Sequence, residues 1–225
     1  MSPDGQTPWV VGIMAKAPRA GEVKTRLCPP LDPERAAGLA RAFLLDAIEQ
    51  IRSLEAAAHA LSFAPETERP FFEELAPDFL LVSQGAGGLG ARMVATFEQL
   101  FSRGFAGALL VGTDAPTLPT EFLLEALRVI AQPDADLVLG PSEDGGYYLV
   151  GLTRARPALF EDMPWSTPDV LAETSRRARQ LQLDVALLPT WFDVDAGPDI
   201  ERLRTSLATA PRSAARHTRR ALEVV

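Results

Sequence analysis

Short apolar runs alternate with segments of helical periodicity along most of this chain, and no other feature restricts its fold as strongly. The run from Trp9 to Ala15 (WVVGIMA) has the continuous apolar character of a buried strand. Asp32 and Pro33 then supply a helix N-cap and a first-turn proline ahead of an apolar-periodic segment from Ala36 to Ile51. Repeated units of this kind predict a three-layer α/β domain with a mostly parallel sheet, whose ligands bind outside the carboxyl ends of the strands.

The same alternation continues toward the end of the chain. Further strands are predicted at Ala58 to Ala64, Phe79 to Ser83, Gly107 to Thr113, Ala135 to Gly140, Tyr147 to Leu152 and Asp184 to Leu188. Helices are predicted near Gly90 to Phe101, Thr120 to Ala131, Thr167 to Leu181 and Pro198 to Leu207. No helix separates the strand ending at Gly140 from the strand beginning at Tyr147, so the sheet is predicted to be mixed.

Length and composition predict one large domain. The chain has 225 residues, of which 47% are apolar, and its mean hydropathy is +0.03, values typical of a protein that buries a core. We expect a single domain over residues 1–208, followed by a basic tail over residues 209–225. A solvated end is favoured for this tail, and a frayed or partner-docked helix is the alternative.

Charge and residue usage exclude several partners. A net charge of −8 argues against binding to nucleic-acid backbones or anionic membrane surfaces. No apolar run approaches the roughly 20 residues of a membrane span, and the amino end lacks the pattern of a signal peptide. A single cysteine, Cys28, forbids an internal disulfide and a cysteine-based zinc site, and only two histidines, His59 and His217, are present. A cytoplasmic protein without a histidine-built metal site is therefore expected.

A basic loop follows the first predicted strand. Lys16, Arg19, Lys24 and Arg26 lie within eleven residues, and Lys16 and Lys24 are the only lysines in a chain that otherwise uses arginine. Lysine is a compact, mobile point charge that suits phosphate oxygens. Gly21 allows a tight turn, and Thr25 adds a hydroxyl and an N–H, so the loop is predicted to bind a polyphosphate, although a solvated basic loop is the alternative. The separation of the glycine from the lysine excludes a Walker P-loop.

Carboxylates follow two later strands. Asp114 comes directly after the most apolar strand, and Asp193 and Asp195 follow the last one. Hard divalent ions need only one or two carboxylates when a nucleotide supplies further oxygens. We therefore predict a Mg²⁺ or Mn²⁺ site of Asp114 with Asp195, whereas turn or cap residues are the alternative.

Two glycine-rich loops complete the set of candidates. One contains Asp144, Gly145, Gly146 and Tyr147, where the backbone has room to lie against a substrate and the ring can stack on it; a plain hairpin turn is the alternative. The other is QGAGGLGAR, before a predicted helix, which could accept a base or an anion and supplies three further candidates. These are Gly85, Gly90 and Arg92.

Taken in order, six segments resemble a family of bacterial GT-A-like transferases, known as radical-SAM/selenodomain-associated or arsenosugar-biosynthesis-type glycosyltransferases. The segments are KAPRAGEVKTRL, QGAGGLGARM, GTDAPTLP, GPSEDGGYYLVGL, MPWSTPDVLAET and FDVDAGPDI. The chain is also similar, more broadly, to 2-phospho-lactate and molybdenum-cofactor guanylyltransferases. One departure is visible: where relatives usually have Gly-Asp-Leu-Gly-Glu-Arg, Gly88 and Ala91 replace the two acids.

The resemblance implies the nucleotide-diphospho-sugar transferase (GT-A, Rossmann-like) fold. It also implies that phosphates lie on Lys16, Lys24 and Arg26 and that the metal lies on Asp114 with a late carboxylate, Asp195 or, in reserve, Asp193. The resulting nucleotide-binding set is Lys16, Arg19, Gly21, Lys24, Thr25, Arg26, Gly85, Gly90 and Arg92. The catalytic set is Lys24, Arg26 and Asp114, and the substrate-binding set is Asp144, Gly145, Gly146, Tyr147, Trp165, Ser166 and Thr167.

Three functions follow from these residues and remain open at this stage. The first is nucleotidyl transfer from a nucleoside triphosphate to a small metabolite, favoured by the density of cations in the loop. The second is glycosyl transfer from a nucleoside-diphosphate sugar to a small acceptor, favoured by the family resemblance. The third is a nucleotide-binding module without catalysis, suggested by the missing acids of the glycine loop.

Overall fold

A computed structural model describes residues 9–223 of the chain. The strands are β1 (Trp9–Lys16), β2 (Ala58–Ala64), β3 (Leu80–Ser83), β4 (Gly107–Val111), β5 (Leu137–Pro141), β6 (Tyr147–Leu152) and β7 (Val185–Leu187). The helices are α1 (Pro33–Arg52), α2 (Arg69–Leu75), α3 (Leu89–Ser102), α4 (Thr120–Ile130), α5 (Val170–Gln180), α6 (Asp199–Thr209) and α7 (Arg216–Glu223).

The strands form one mixed sheet in the order β3-β2-β1-β4-β6-β5-β7. Strand β6 runs antiparallel to both β4 and β5, and the other pairings are parallel. The predicted mixed sheet is confirmed, because the short turn after β5 leads directly into β6 as a hairpin. The strand order reverses between β1 and β4, so a crevice opens at their carboxyl ends.

Helices cover both faces of the sheet, as the three-layer prediction requires. Strand β1 shows why: Val11 and Ile13 point into a core shared with α1, α2 and α4, whereas Val10 points into a core shared with α3 and α5. Each fully buried aliphatic or aromatic side chain contributes about 1.5–3 kcal/mol, so these cores hold the sheet edge in place. No helix in the described part of the chain is both long and apolar enough to cross a membrane.

The beginning of α1 is formed as predicted. Asp32 accepts a hydrogen bond from the Arg35 N–H at 2.8 Å, and Pro33 occupies the first turn. Helix α2 was not predicted, because it is only seven residues long and follows a proline-containing segment. The predicted helix at Thr167 begins only at Val170, since Ser166 has a left-handed φ of 64° and the chain turns there.

The tail, for which a solvated end was favoured over a helix, contains α7, which packs on α1. Leu222 and Thr218 are buried there, and the Asp46 carboxylate accepts the N–H groups of His217 and Thr218 at 2.9 and 2.8 Å. This buried carboxylate caps the amino end of α7 and adds to the burial of Leu222. The division at residue 208 stays a prediction.

Candidate functional site

A cleft of about 770 Å³ opens at the carboxyl ends of β1 and β4, where the strand order reverses. Its floor is apolar, and the loops after β1, β4 and β5 form its polar rim. Among the residues that line it, the following were predicted from the sequence: Lys16, Lys24, Thr25, Arg26, Arg92, Asp114, Asp144, Gly146, Tyr147, Trp165, Ser166, Thr167, Asp193 and Asp195.

The Lys24 ammonium group joins the two carboxylates predicted to bind metal. Lys24 Nζ lies 2.6 Å from Asp114 Oδ1 and 2.7 Å from Asp195 Oδ1, and it also donates to the Val194 carbonyl at 2.7 Å. The lysine side chain is only 8% exposed, whereas the two aspartates are 45% and 41% exposed. Lys24 therefore does not extend toward an open phosphate position, as the sequence suggested, but is paired with the carboxylates.

Backbone hydrogen bonds bring these three residues together. Asp114 follows β4, and its carbonyl accepts the Val194 N–H at 2.8 Å, which fastens the late segment to the central strand. Asp199, at the start of α6, accepts the Asp195 N–H at 2.9 Å. Lys24 has a left-handed φ of 48° and precedes a 3-10 turn (Thr25–Leu27), so its side chain turns back toward the sheet.

Four carboxylates lie at this end of the cleft, and the pKa of one of them, Asp193, is raised. Burial first, and then the charges of Asp114, Asp144 and Asp195, raise the pKa of Asp193 to about 7, although a hydrogen bond with Ser142 opposes the change. Burial alone lowers the pKa of Lys24, but Asp114 and Asp195 outweigh it and leave the pKa above its usual value. The site therefore has an excess of negative charge that favours an added cation.

Removing one of these charges is expected to stabilise the metal-free protein. The Asp193 pKa is about 7 in the fold and 3.8 ordinarily, so the folded state binds more protons between these values and stability falls as pH rises through them. In a chelator, Asp193→Asn should gain nothing below about pH 4 and about 2–4 kcal/mol of unfolding free energy at pH 8. Urea unfolding at both pH values measures this.

Asp184→Asn, on the exposed opposite end of the sheet, is the matched control for that measurement. It should not change the free energy of unfolding by more than about 0.5 kcal/mol at either pH. An equal gain for Asp193→Asn at pH 4 and pH 8 would contradict the electrostatic explanation.

The basic loop divides into two groups. Lys16 lines the cleft at 46% exposure and donates to the Glu22 carbonyl at 2.9 Å, and Thr25 and Arg26 are exposed along the same rim. Arg19 instead forms an ion pair with Glu68, outside the cleft lining. Gly21 also lies outside it, in a turn with a φ of 75°. Both residues stabilise the path of the loop in this structure, and their predicted contacts with the nucleotide stay predictions.

The loop after β5 forms the opposite wall. The Asp144 carboxylate accepts hydrogen bonds from the Ser142 hydroxyl at 2.5 Å and the Gly146 N–H at 2.9 Å. Asp144 therefore stabilises a hairpin turn and also lines the cleft. Tyr147 meets Trp165 edge-on, with ring centroids 6.4 Å apart. Gly145 lies outside the cleft lining and packs against Pro168, where a Cβ would lie 2.1 Å from the carbonyl oxygen, and its contact with a substrate stays a prediction.

The glycine loop before α3 contributes less than predicted. Arg92 lines the cleft and donates through Nε to the Gly87 carbonyl at 2.9 Å. Gly85 lies outside the lining, and Gly90 is buried, with room for no Cβ because the Phe160 carbonyl oxygen would be 2.3 Å away. The absence of a side chain at Gly90 allows close packing of α3 on the neighbouring loop, and a contact of Gly90 with the nucleotide stays a prediction.

Sequence reasoning missed the apolar floor and one polar residue beside it. The buried Gln84 donates to the carbonyls of Ala15 and Ser62 at 3.0 and 2.8 Å, which fixes the ends of β1 and β2. A lone glutamine after a strand carries no signal for that role. The apolar floor consists of Met14, Met93, Leu110 and Val150. In the sequence these residues look like any other apolar side chains of strands and helices, so no pattern marks them as part of a cleft.

A second group with metal-ligand chemistry lies elsewhere, at the junction of α1 and α7. Atoms of Asp46, Glu49 and His217 lie within 4.8 Å of one another. Each already has a structural role, because Asp46 caps α7 and Glu49 accepts from Arg216 at 2.9 Å and lies 3.0 Å from the His217 ring. We assign this group to the attachment of α7.

Residues 47–167 match the profile of a protein family described as "Uncharacterized protein conserved in bacteria (DUF2064)". That match covers more than half of the chain, including Asp114 and Asp144. The chain belongs to this family. The family match does not include the basic loop or Asp195, which lie outside the matched residues.

The similarity to solved structures covers nearly the whole of this chain. The chain is 30% identical, with a TM-score of 0.88, to a provisionally assigned nucleotide-diphospho-sugar transferase from Desulfovibrio desulfuricans G20, over 97% of this chain and 95% of that one. A cytidylyltransferase from Leptospira borgpetersenii serovar Hardjo-bovis matches with a TM-score of 0.57 and 11% identity, over 97% of this chain and 95% of that one.

Glucosyl-3-phosphoglycerate synthase from Mycobacterium tuberculosis, solved with Mn²⁺, UDP and glucosyl-3-phosphoglycerate, has a TM-score of 0.53 and 11% identity, over 98% of this chain and 80% of that one. At such identities these last two share the fold alone. No curated protein sequence matches the chain significantly.

Proposed function

We propose that the protein is a divalent-metal-dependent transferase that uses an activated nucleotide, either a nucleoside triphosphate or a nucleoside-diphosphate sugar, and a small-molecule acceptor. The observation that carries the proposal is the pair of Asp114 and Asp195 oxygens held around a single cation at the carboxyl edge of the sheet. Both carboxylates are partly exposed to a cleft large enough for a nucleotide.

The donor set fits Mg²⁺ or Mn²⁺. Two carboxylate oxygens already share one cation, and burial together with the neighbouring carboxylates raises the pKa of Asp193 to about 7. Hard divalent ions are bound by one or two carboxylates together with substrate phosphates. Such an ion, when bound, would neutralise the phosphate charge and stabilise the leaving group.

The chain's own groups then have distinct tasks. Lys16 and Arg26, on the exposed rim, would bind phosphate oxygens, and Arg92 would extend that rim across the cleft. On the other wall, Asp144 would accept hydrogen bonds from hydroxyl groups of the acceptor or sugar. The Tyr147 and Trp165 rings would pack against an apolar face of the bound ligand. Thr25, Gly146, Ser166 and Thr167 supply further polar groups along the lining.

Two finer assignments belong to the same proposal. The neighbour at 30% identity supports membership of the nucleotide-diphospho-sugar transferases, and the sequence resemblance supports the radical-SAM/selenodomain-associated or arsenosugar-type glycosyltransferases within them. We also propose that residues 1–208 form the transferase domain and that the protein works in the cytoplasm.

Substrate panels separate the two reactions. The protein would be incubated with Mn²⁺ and each nucleoside triphosphate plus phosphorylated metabolites, and separately with nucleoside-diphosphate sugars and hydroxyl acceptors. Pyrophosphate release identifies nucleotidyl transfer, and release of a nucleoside diphosphate identifies glycosyl transfer. Failure of every nucleotide to bind in the presence of Mn²⁺, measured by calorimetry, would contradict the proposal, and binding without turnover would favour a non-catalytic module.

The two groups of the basic loop should differ in phosphate binding. Lys16→Gln removes a charge that lines the cleft and should weaken calorimetric binding of Mn²⁺–pyrophosphate by about tenfold, the value of one charged hydrogen bond. Arg19→Gln removes a charge that is paired with Glu68 and should leave the affinity within about twofold. Equal losses in both variants would show that the loop acts only through its net charge.

A further inference from the structure

Lys24 occupies the position that the proposed metal would need. Its ammonium group lies 2.6 and 2.7 Å from the Asp114 and Asp195 oxygens that would be the ligands. A divalent ion bound to the same two oxygens would have to lie closer to them, at about 2.0–2.1 Å for Mg²⁺. The ammonium group and the ion therefore exclude each other from this position.

We propose that Lys24 is a built-in substitute cation, which holds Asp114 and Asp195 together in the metal-free protein and is released to the nucleotide phosphates when a divalent ion binds. This inference rests on the proposed function and adds the coupling between its two ligands. The ammonium group donates to the Asp114 and Asp195 carboxylates and to the Val194 carbonyl, and a divalent ion competes for the two carboxylates, which are the stronger acceptors.

The residue type suits an exchangeable cation. An arginine fork would bind the carboxylates in a bidentate manner and present a planar, poorly displaceable group, whereas a lysine is a single point charge on a flexible stem. The chain uses arginine at its other basic positions except Lys16, which also lines the cleft. The two lysines thus lie at the two places where a mobile ammonium group would meet a phosphate.

Release of Lys24 couples the metal to the nucleotide. A released ammonium group beside the cleft requires a new anionic partner, and a phosphate supplies one. The metal and the phosphate should therefore strengthen each other's binding by the same factor, because such coupling is reciprocal. Without phosphate, the ion must displace a paired lysine and should bind more weakly.

Acylation of the wild-type protein tests this directly, because its side chains offer only two lysine amines. Each rate is read by peptide mass mapping after brief treatment with an amine-reactive ester. In chelator, Lys16 at 46% exposure should react readily, and Lys24 at 8% exposure should be protected. Saturating Mn²⁺ should raise the Lys24 rate by about tenfold or more, as expected when a minor open state becomes the main one. Lys16 should not change, and added pyrophosphate should protect Lys24 again.

A variant covers the case in which wild-type protein binds Mn²⁺ only together with pyrophosphate. Lys24→Met keeps most of the length of the side chain and removes the competing charge, so it should bind Mn²⁺ alone at least about tenfold more tightly than the wild type. It should also lose most of the strengthening that pyrophosphate gives. Lys16→Met is the matched control and should bind Mn²⁺ alone as the wild type does.

The outcomes separate this inference from the function on which it rests. Lys24 that stays protected in protein saturated with Mn²⁺, or Lys24→Met that binds Mn²⁺ no more tightly than the wild type, overturns the inference and leaves the transferase proposal in place. Absence of Mn²⁺ binding by the wild type and both variants, with and without pyrophosphate, overturns both.

Discussion

Asp114→Asn is expected to lower the affinity for Mn²⁺ in the presence of pyrophosphate by about 100-fold, and any transferase activity at least as much. The amide keeps the shape of the side chain but removes one of two anionic ligands at the end of β4. Lys24 retains Asp195 and the Val194 carbonyl as partners, so the fold should persist. Calorimetry with Mn²⁺ and pyrophosphate measures the change.

Glu143→Gln provides the matched control. Glu143 lies one residue before Asp144 but forms an exposed ion pair with Arg202, outside the cleft lining. Its substitution should leave Mn²⁺ affinity within about twofold. If Asp114→Asn bound Mn²⁺–pyrophosphate as well as Glu143→Gln does, the metal assignment would be wrong.

Gly145→Ala is expected to have the largest effect on stability among single substitutions near the cleft. The new Cβ would lie 2.1 Å from the Pro168 carbonyl oxygen, and the residue has a φ of 90° that side chains rarely adopt. Collision with backbone and left-handed strain together should cost about 2–4 kcal/mol, which corresponds to a fall in melting temperature of about 5–15 °C. Differential scanning calorimetry measures the melting temperature.

Gly104→Ala separates the two causes of that loss. Gly104 has a similar φ of 89°, but nothing lies within 4 Å of a Cβ built there. It should therefore show only the backbone strain, about 1–2 kcal/mol. A melting temperature for Gly145→Ala as high as that for Gly104→Ala would contradict the close contact between the loop after β5 and the segment before α5.

Most of the fold could be predicted because the apolar runs are long and clearly spaced. The order of strands and helices, the mixed sheet and the Asp32 cap follow from local patterns. The packing of α7 on α1 could not be predicted, because the Asp46 carboxylate of a distant helix fastens the amino end of α7. Such a contact exists only after the chain has folded.

Most of the residues that line the cleft could be predicted from the sequence, but the ion pairs that they form could not. Arg19 and Lys24 have similar local chemistry, yet one pairs with Glu68 and the other with Asp114 and Asp195. The difference depends on the left-handed turn at Lys24 and on a contact across 171 residues, which no local pattern encodes. Glycine is equally ambiguous, since Gly145 serves packing where the sequence suggested room for a substrate.

Anomalous scattering from a crystal soaked in MnCl₂ and inorganic pyrophosphate would test the central claim most directly, because pyrophosphate is the part that both candidate nucleotides share. We predict a Mn²⁺ peak bonded to oxygens of Asp114 and Asp195, with the Lys24 ammonium group moved onto the pyrophosphate. A Mn²⁺ peak only at Asp46, Glu49 and His217, with Lys24 still between Asp114 and Asp195, would contradict it.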